Sequence, residues 1–471
     1  MLNNPPKSKF LLYCPLSSLW LILCNFLSLN LYAEDVTFAK ALSFTNAIKM
    51  AQKNDPWLIG NRHKENAMKA MSSVVSTLPD PKVSIALANL PTDSFAFDQE
   101  GMTQFKMGIT QVIPRGDTLK LKSKQLKIKS QAYPFQREDR QAKVAVTVGK
   151  LWLDAYQVQQ SIELIEKDRS LFLQLVDVAE ASYSSAVGKT RQQDIIRAQL
   201  ELTRLDERLD KLAQQQNHYQ GQLSQWLVTS VNNVPEGNVV EQDKLNLHDY
   251  HFSSKMPAID LIHADTVLAK TWQATASLVS LFNQHPAIVA IDQKIAATKT
   301  GINIAKQKYK PQWAVNAAYS YRAENQMGNE RADFISMGVT FDVPLFTENR
   351  QDKQVDAAVS ESEAIKTEKL LMLRQFLGTY NSAKGRLLRL ADRQKIYQST
   401  LLPQMHDQAE ASLSAYTNDD GDFSEVVRAR IAVLNTEIES LSLNVEQQKI
   451  NLTLNYLFAG TLTVNQHVIA Q

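Results

Sequence analysis

Four short stretches of the chain alternate apolar and polar residues at every second position. Nearly everything else repeats its apolar residues every three or four. Val83, Ile85 and Leu87 interleave with Ser84, Ala86 and Ala88, and Phe105, Met107 and Ile109 interleave with Lys106, Gly108 and Thr110. Trp313, Val315, Ala317, Tyr319 and Tyr321 alternate with Ala314, Asn316, Ala318 and Ser320. Ile335, Met337, Val339, Phe341 and Val343 do so with Ser336, Gly338, Thr340 and Asp342. Period two with one apolar and one small polar face predicts strands, at about 82–90, 104–113, 312–321 and 334–343. Polar hairpin loops, Pro91 to Met102 and Arg322 to Ala332, separate the members of each pair. Strands of about ten residues have the length to cross a bilayer as part of a barrel.

The remainder predicts long helices. Residues 135–234 contain no proline, and 345–471 contain only Pro403. A seam of alternating three- and four-residue steps runs Ile195, Ala198, Leu202, Leu205, Leu209, Leu212, Gln216, Tyr219, Leu223, Trp226. Ile431, Leu434, Ile438, Leu441, Val445, Gln448 and Leu452 obey the same rule, which is that of coiled-coil packing. The run from Asp117 to Val187 would reach roughly 100 Å as a helix, with a kink predicted at Tyr133-Pro134. Its start, where Lys120, Lys122, Lys124, Lys127 and Lys129 alternate with Leu119, Leu121, Leu126 and Ile128, also reads as a strand. Helix is preferred because no turn separates this stretch from the helical run downstream of it.

The pattern occurs twice. Pro56, Pro81 and Pro114 recur as Pro286, Pro311 and Pro344, each 230 positions on, and Met107-Gly108-Ile109-Thr110 recurs as Met337-Gly338-Val339-Thr340. Ile195-Ile196-Arg197-Ala198 returns as Val426-Val427-Arg428-Ala429. The unit is domain-sized, far longer than a solenoid repeat. The expected organisation is a first repeat over 34–227, a connector (equatorial region) over 228–258, a second repeat over 259–460 and a C-terminal tail over 461–471. Helical hairpin tips fall at about 183–194 and 416–424.

Residues 1–33 stand apart. Lys7 and Lys9 precede an apolar stretch from Phe10 to Leu29 that ends at Leu31-Tyr32-Ala33, the layout of a secretory signal peptide cleaved after Ala33. An uncleaved anchor, and lipidation at Cys24, are the two alternatives. Both cysteines, Cys14 and Cys24, lie here with two lysines and no acid, so the mature chain has no cysteine and 49 residues of each charge. That excludes a disulfide framework, a thiolate zinc site and a cysteine nucleophile. The near-neutral balance argues against nucleic acid as a partner. With 15 Gly and 15 Pro in 471 residues, turns are few, as long helices require.

Four membrane strands cannot close a barrel, and open edges are not tolerated in lipid, so the chain is expected to oligomerise. Three copies give twelve strands. In this respect the chain resembles the TolC family of outer-membrane efflux and secretion ducts, over essentially its whole mature length. The strand hairpins ending in Ile113-Pro114 and Val343-Pro344-Leu345-Phe346 carry the resemblance, as does Leu402-Pro403-Gln404. So do the tip patterns Tyr183-x4-Gly188-x5-Asp194-Ile195-Ile196-x-Ala198 and Tyr416-x4-Gly421-x2-Ser424-x-Val426-Val427-x-Ala429. The first tip departs in having two more residues after its glycine and no serine. The resemblance implies a mainly α fold with a β-barrel part. Duplicated long-helix hairpins would form a periplasmic α-barrel, and four strands per chain would complete a 12-stranded β-barrel as a homotrimer. It implies a passive channel in the outer membrane of a Gram-negative bacterium, with outer-membrane lipid, a periplasmic adaptor and an inner-membrane pump as partners. Asn89-Leu90-Pro91-Thr92-Asp93 and Phe346-x2-Asn349-Arg350 are similar to the heavy-metal cation efflux branch. A type I protein-secretion exit duct and a periplasmic coiled-coil adaptor or scaffold are the competing functions.

Candidate chemistry gathers at the tips. Asp419, Asp420 and Asp422, each tripled by three-fold symmetry, would form carboxylate rings that favour cations. Asp422 equally suits the cap of the helix starting at Phe423. Lys189 and Arg191 carry the opposite sign on the first tip and are expected to pair with an aspartate of the neighbouring tip, closing the entrance. Gly188, Thr190, Gly421 and Ser424 are the expected adaptor-docking positions. His248, Asp249 and His251 read as a solvated loop rather than a metal site. No phosphate-cradling loop, zinc-protease motif or nucleophile elbow occurs, so no catalytic residue, metal or cofactor is expected and the chain is not read as an enzyme.

Overall fold

The computed structural model describes residues 41–184, 191–227, 252–418 and 420–461. Cys24 and Ala33, the connector histidines His248 and His251 with Asp249, and the tip residues Gly188, Lys189, Thr190 and Asp419 lie outside the described residues. All described residues belong to one unit beginning at Ala41.

Helix α1 (Phe44–Asn54) is capped by Ser43, and α2 (Pro56–Val74) by Asp55, whose carboxylate accepts from the Trp57 amide at 3.0 Å. Proline at the first position of α2 costs nothing, because that N–H has no helical partner. Next come strands β1 (Lys82–Ala88) and β2 (Gln104–Ile113), then α3 (Thr118–Ser184) and α4 (Gln192–Leu227). After two short helices, α5 (Ala264–Leu268) and α6 (Thr275–Phe282), the order returns. It runs through α7 (Pro286–Lys306), β3 (Trp313–Tyr321), β4 (Phe334–Phe341), α8 (Gln351–Ile396), α9 (Leu402–Thr417) and α10 (Phe423–Leu457).

The lysine-rich start of α3 is helical, and the helix is unbroken through Pro134 for 67 residues, roughly 100 Å at 1.5 Å per residue. Its counterpart is interrupted. A π-helical turn, Tyr397–Leu401, separates α8 from α9, with Pro403 in the first turn of α9. A proline deprives the helix of one N–H, and the wider turn absorbs the misfit.

The four strands form one antiparallel sheet in the order β1-β2-β3-β4. The helices are laid out in the matching order: α2 packs on α3, α3 on α7, and α7 on α8. Away from the sheet, α3 pairs with α4 and α9 with α10, and α10 lies against α3. Three large apolar clusters and a small one, where Ala409 of α9 meets Ala429 and Val433 of α10, hold the helical layer. Trp152 is fully buried on α3, stacks on Tyr156 at 5.5 Å and donates to the Leu42 carbonyl at 2.9 Å. Phe282, Phe376, Tyr380 and Phe458 gather where α6, α8 and α10 meet. Nearest the tips, the seam residues Ile195, Ala198, Leu202, Leu205, Leu209 and Leu212 pack with Ile165, Phe172 and Val176 of α3 and with Phe423, Val427 and Leu434 of α10.

Candidate functional site: an open sheet and two helical tips

Register decides what the sheet presents. Val83, Ile85 and Leu87 stand opposite Ile109, Met107 and Phe105. Those three stand opposite Ala317, Tyr319 and Tyr321, and Ala317 and Tyr319 stand opposite Met337 and Ile335. Side chains alternate faces along a strand, so all of these share one face. Ile113, Trp313 and Phe341 complete it at the helix end. The other face carries Ser84, Ala86, Gly108, Thr110, Asn316, Ala318, Ser336 and Gly338. The apolar face is uncovered: Ile85 is 63%, Ile335 73% and Met337 83% exposed. A continuous apolar face left in water would cost about 25 cal/mol per Å², so it requires an apolar neighbour. Rings mark both ends, with Trp313 against Phe341 at 4.6 Å near the helices and Phe97 stacked on Tyr321 at 6.3 Å near the loops.

Among the described residues, backbone pairing runs only inward from β1 and β4, so the outer edge of each is open. The sheet is fastened at both ends. Arg115 donates to the carbonyls of Lys308 at 3.1 Å and Lys310 at 2.9 Å and pairs with Asp342, so β2–α3 is tied to the second half. Across the loops, Arg322 donates to the carbonyls of Ala332 at 2.8 Å and Gly101 at 3.2 Å and lies 3.9 Å from the Phe334 ring.

At the second tip, Asp422 caps α10. Its Oδ1 accepts from the Ser424 amide at 2.9 Å, and that bond, aided by the charges of Arg197 and Arg191, holds its carboxyl below the usual range. Asp422 therefore does the capping job and lies within the field of Arg191 of the first tip of the same chain. Arg191 has a second tie, its amide donating to Asp194 Oδ2 at 2.9 Å. Asp420 is exposed, and its amide donates to Ala415 O at 2.9 Å. A Cβ on Gly421 would meet Tyr416 N at 2.7 Å, so glycine is what lets this turn close. Ser424 is buried at 6% exposure. The structure thus brings Arg191, Asp422, Gly421 and Ser424 together. Arg197 and the buried Asp194 join them; the sequence patterns include both without giving either a role at the site, although Asp194 stands in the acid-favouring first turn of α4.

Among the described residues, no group of three or more His, Asp or Glu is placed to hold a metal ion. No described helix is long and apolar enough to cross a membrane. No protein-family model matches the sequence, and no curated protein matches it. Solved structures do match. VceC from Vibrio cholerae superposes with a TM-score of 0.68 at 11% identity, over 88% of this chain and 96% of that one. CmeC, an outer membrane channel from Campylobacter jejuni, gives 0.67 at 11% over 90% and 87%. CusC, described through its folding and transmembrane channel formation, gives 0.66 at 14% over 88% and 92%. The class of fold is therefore plain: long helices hung from a small antiparallel sheet, the fold these solved outer-membrane proteins share.

Proposed function

We propose that the chain is the outer-membrane channel subunit of a tripartite efflux system, a passive duct made of three copies. The observation that carries this reading is the four-stranded sheet with two open edges and one uncovered apolar face. Three copies joined edge to edge form twelve strands, remove every edge and turn the apolar faces to lipid. The helices continue that cylinder into the periplasm, reached after export by residues 1–33. The two repeats, 34–227 and 259–460, supply equivalent sixths of the wall. The fold likeness supports the duct, and the absence of a catalytic motif from the sequence is in keeping with passive transport.

The tips are the gate and the docking end. Arg191, Asp420 and Asp422, together with Lys189 and Asp419, hold the entrance narrow. Gly188, Thr190, Gly421 and Ser424 shape the turns that an adaptor protein grips, the serine through its place in the Asp422 cap. Metal cations are the proposed cargo, on the strength of Asn89-Leu90-Pro91-Thr92-Asp93 and Phe346-x2-Asn349-Arg350.

Fractionation and single-channel recording test the reading. An SDS-resistant trimer in the outer-membrane fraction, conducting in planar bilayers, is the expected result; a soluble periplasmic monomer would refute it. Arg191→Ala and Asp422→Ala are expected to raise open probability in the purified channel. Unchanged conductance and selectivity in both would move the gate elsewhere. A deletion strain more sensitive to metal salts, with unchanged drug tolerance and protein secretion, is the outcome expected for the cargo.

A further inference from the structure

A groove of about 630 Å³ opens where the strands meet the helices, lined on one side by Leu78, Ile113, Pro114 and Leu119 and on the other by Lys120, Lys124 and Lys127. Its apolar half begins at Ile113, the last rung of the uncovered face of β2. Gln111, on that same face, donates to the Pro79 carbonyl at 2.8 Å and so draws the segment before β1 over the groove. The three lysines fall at i, i+4 and i+7, a single stripe of α3. All three are exposed, and none of their ammonium groups makes a hydrogen bond or ion pair among the described residues. From Thr118 to Arg137 the sequence contains no acid, and the one carboxylate at the groove, Asp117, lies 3.7 Å from Lys310. Three cations on one stripe of a helix repel each other, and Lys120, in the first turn of α3, also opposes the positive end of the helix dipole. An anion relieves both.

We propose that this groove seats the headgroup of an anionic phospholipid of the leaflet nearest the helices. The phosphate lies among Lys120, Lys124 and Lys127, and the glycerol and upper acyl chain lie on Leu78, Ile113, Pro114 and Leu119. Basic pockets at the rim of a membrane-spanning region recognise headgroups in this way. A soluble anion would leave the apolar half of the groove empty. The proposal rests on the reading that the apolar face of the sheet meets lipid.

The test uses the full chain, purified as the assembled channel in detergent and titrated with phosphatidylglycerol under native mass spectrometry. Lys120→Gln/Lys124→Gln/Lys127→Gln is expected to weaken retention roughly tenfold or more. Lys122→Gln/Lys129→Gln, which removes charge from the same turns of α3 but not from the groove, is expected to retain the lipid as the wild type does. Equal retention by all three proteins, or equal loss in both variants, overturns the site. Phosphatidylcholine binding as tightly overturns its charge selectivity, and full displacement by an equal concentration of inorganic phosphate overturns the lipid in favour of a free anion. If the triple variant instead loses trimers whether or not lipid is added, a second copy occupies the groove and the proposal fails. Flotation with zwitterionic vesicles separates the two readings. Insertion without lysine-dependent lipid binding sinks only the site, and failure to insert sinks the channel reading as well.

Discussion

His285 shows how one buried side chain makes the fold sensitive to pH. It caps α7, with Nδ1 accepting from the Ala287 amide at 3.1 Å and Nε2 donating to the Tyr456 carbonyl at 2.9 Å. Both ring nitrogens are used as the neutral tautomer uses them, and burial pulls its pKa down to about 4. In the unfolded chain a histidine titrates near 6.5, so between those values the unfolded state binds more protons and stability falls as pH falls. The full loss is about 3 kcal/mol by pH 4, with none above pH 7. Urea midpoints measured from pH 7.5 to 4 should drop steeply in the wild type and more gently in His285→Gln. Neighbouring Tyr456 donates to Asp139 at 2.8 Å, and its burial raises the phenol pKa, so it stays neutral across this range. At the tip, Asp422→Ala removes the cap of α10 and should cost about 1 kcal/mol locally. Faster amide exchange over residues 423–427 would register it.

At the scale of elements, the sequence was legible wherever one face was loaded with a single kind of residue. The alternation of Ile335, Met337, Val339 and Phe341 lies within β4, because both faces of that strand differ sharply in polarity. The Lys120–Lys129 stretch was ambiguous because its apolar residues alternate as well, and only the unbroken α3 resolves it. The π turn at Tyr397–Leu401 was not legible: nothing in Tyr-Gln-Ser-Thr-Leu forbids an α-helix, and Pro403 signals trouble without saying what form it takes. Nor did the tip patterns, which include Asp194 and Arg197, disclose their roles: Arg197 acts on Asp422 of the other hairpin, and Asp194 holds the Arg191 amide. The strand–helix joint is an element-scale device too. Arg115→Ala removes two carbonyl contacts, together worth about 1–2 kcal/mol, and the exposed Asp342 pair, which adds little. A lower thermal unfolding midpoint of the purified protein is the measurement that checks it.

At the scale of the whole molecule, the two faces of the sheet should respond oppositely to charge. Met337→Lys places a cation on the apolar face at mid-strand, where a lysine costs about 2–4 kcal/mol against lipid. Ser336→Lys, one residue away on the small polar face, should cost far less. Comparing the outer-membrane yield of the two variants checks the assignment of faces, and equal yields would contradict it. Twelve strands, three copies and a lipid-facing band would be properties of the proposed assembly, so one chain's sequence could point to them only through the open edges it leaves.

The small polar face has a further consequence. Glycines stand on it at 108 and 338, where an added Cβ would lie 2.8 Å from Ser84 Oγ and from Asn316 Oδ1, and serine and alanine fill much of the rest. In the proposed trimer this face is the bore. Such a tube behaves as two resistors in series, a broad segment between the strands and a narrow one at the tips. Nearly all of the voltage then drops across the narrow one. Modest enlargements of bore side chains should leave the measured current almost untouched, while a single-residue change among Arg191, Asp420 and Asp422 should rescale it. Whatever discrimination the duct exercises on its own is thus confined to the few residues at its far end.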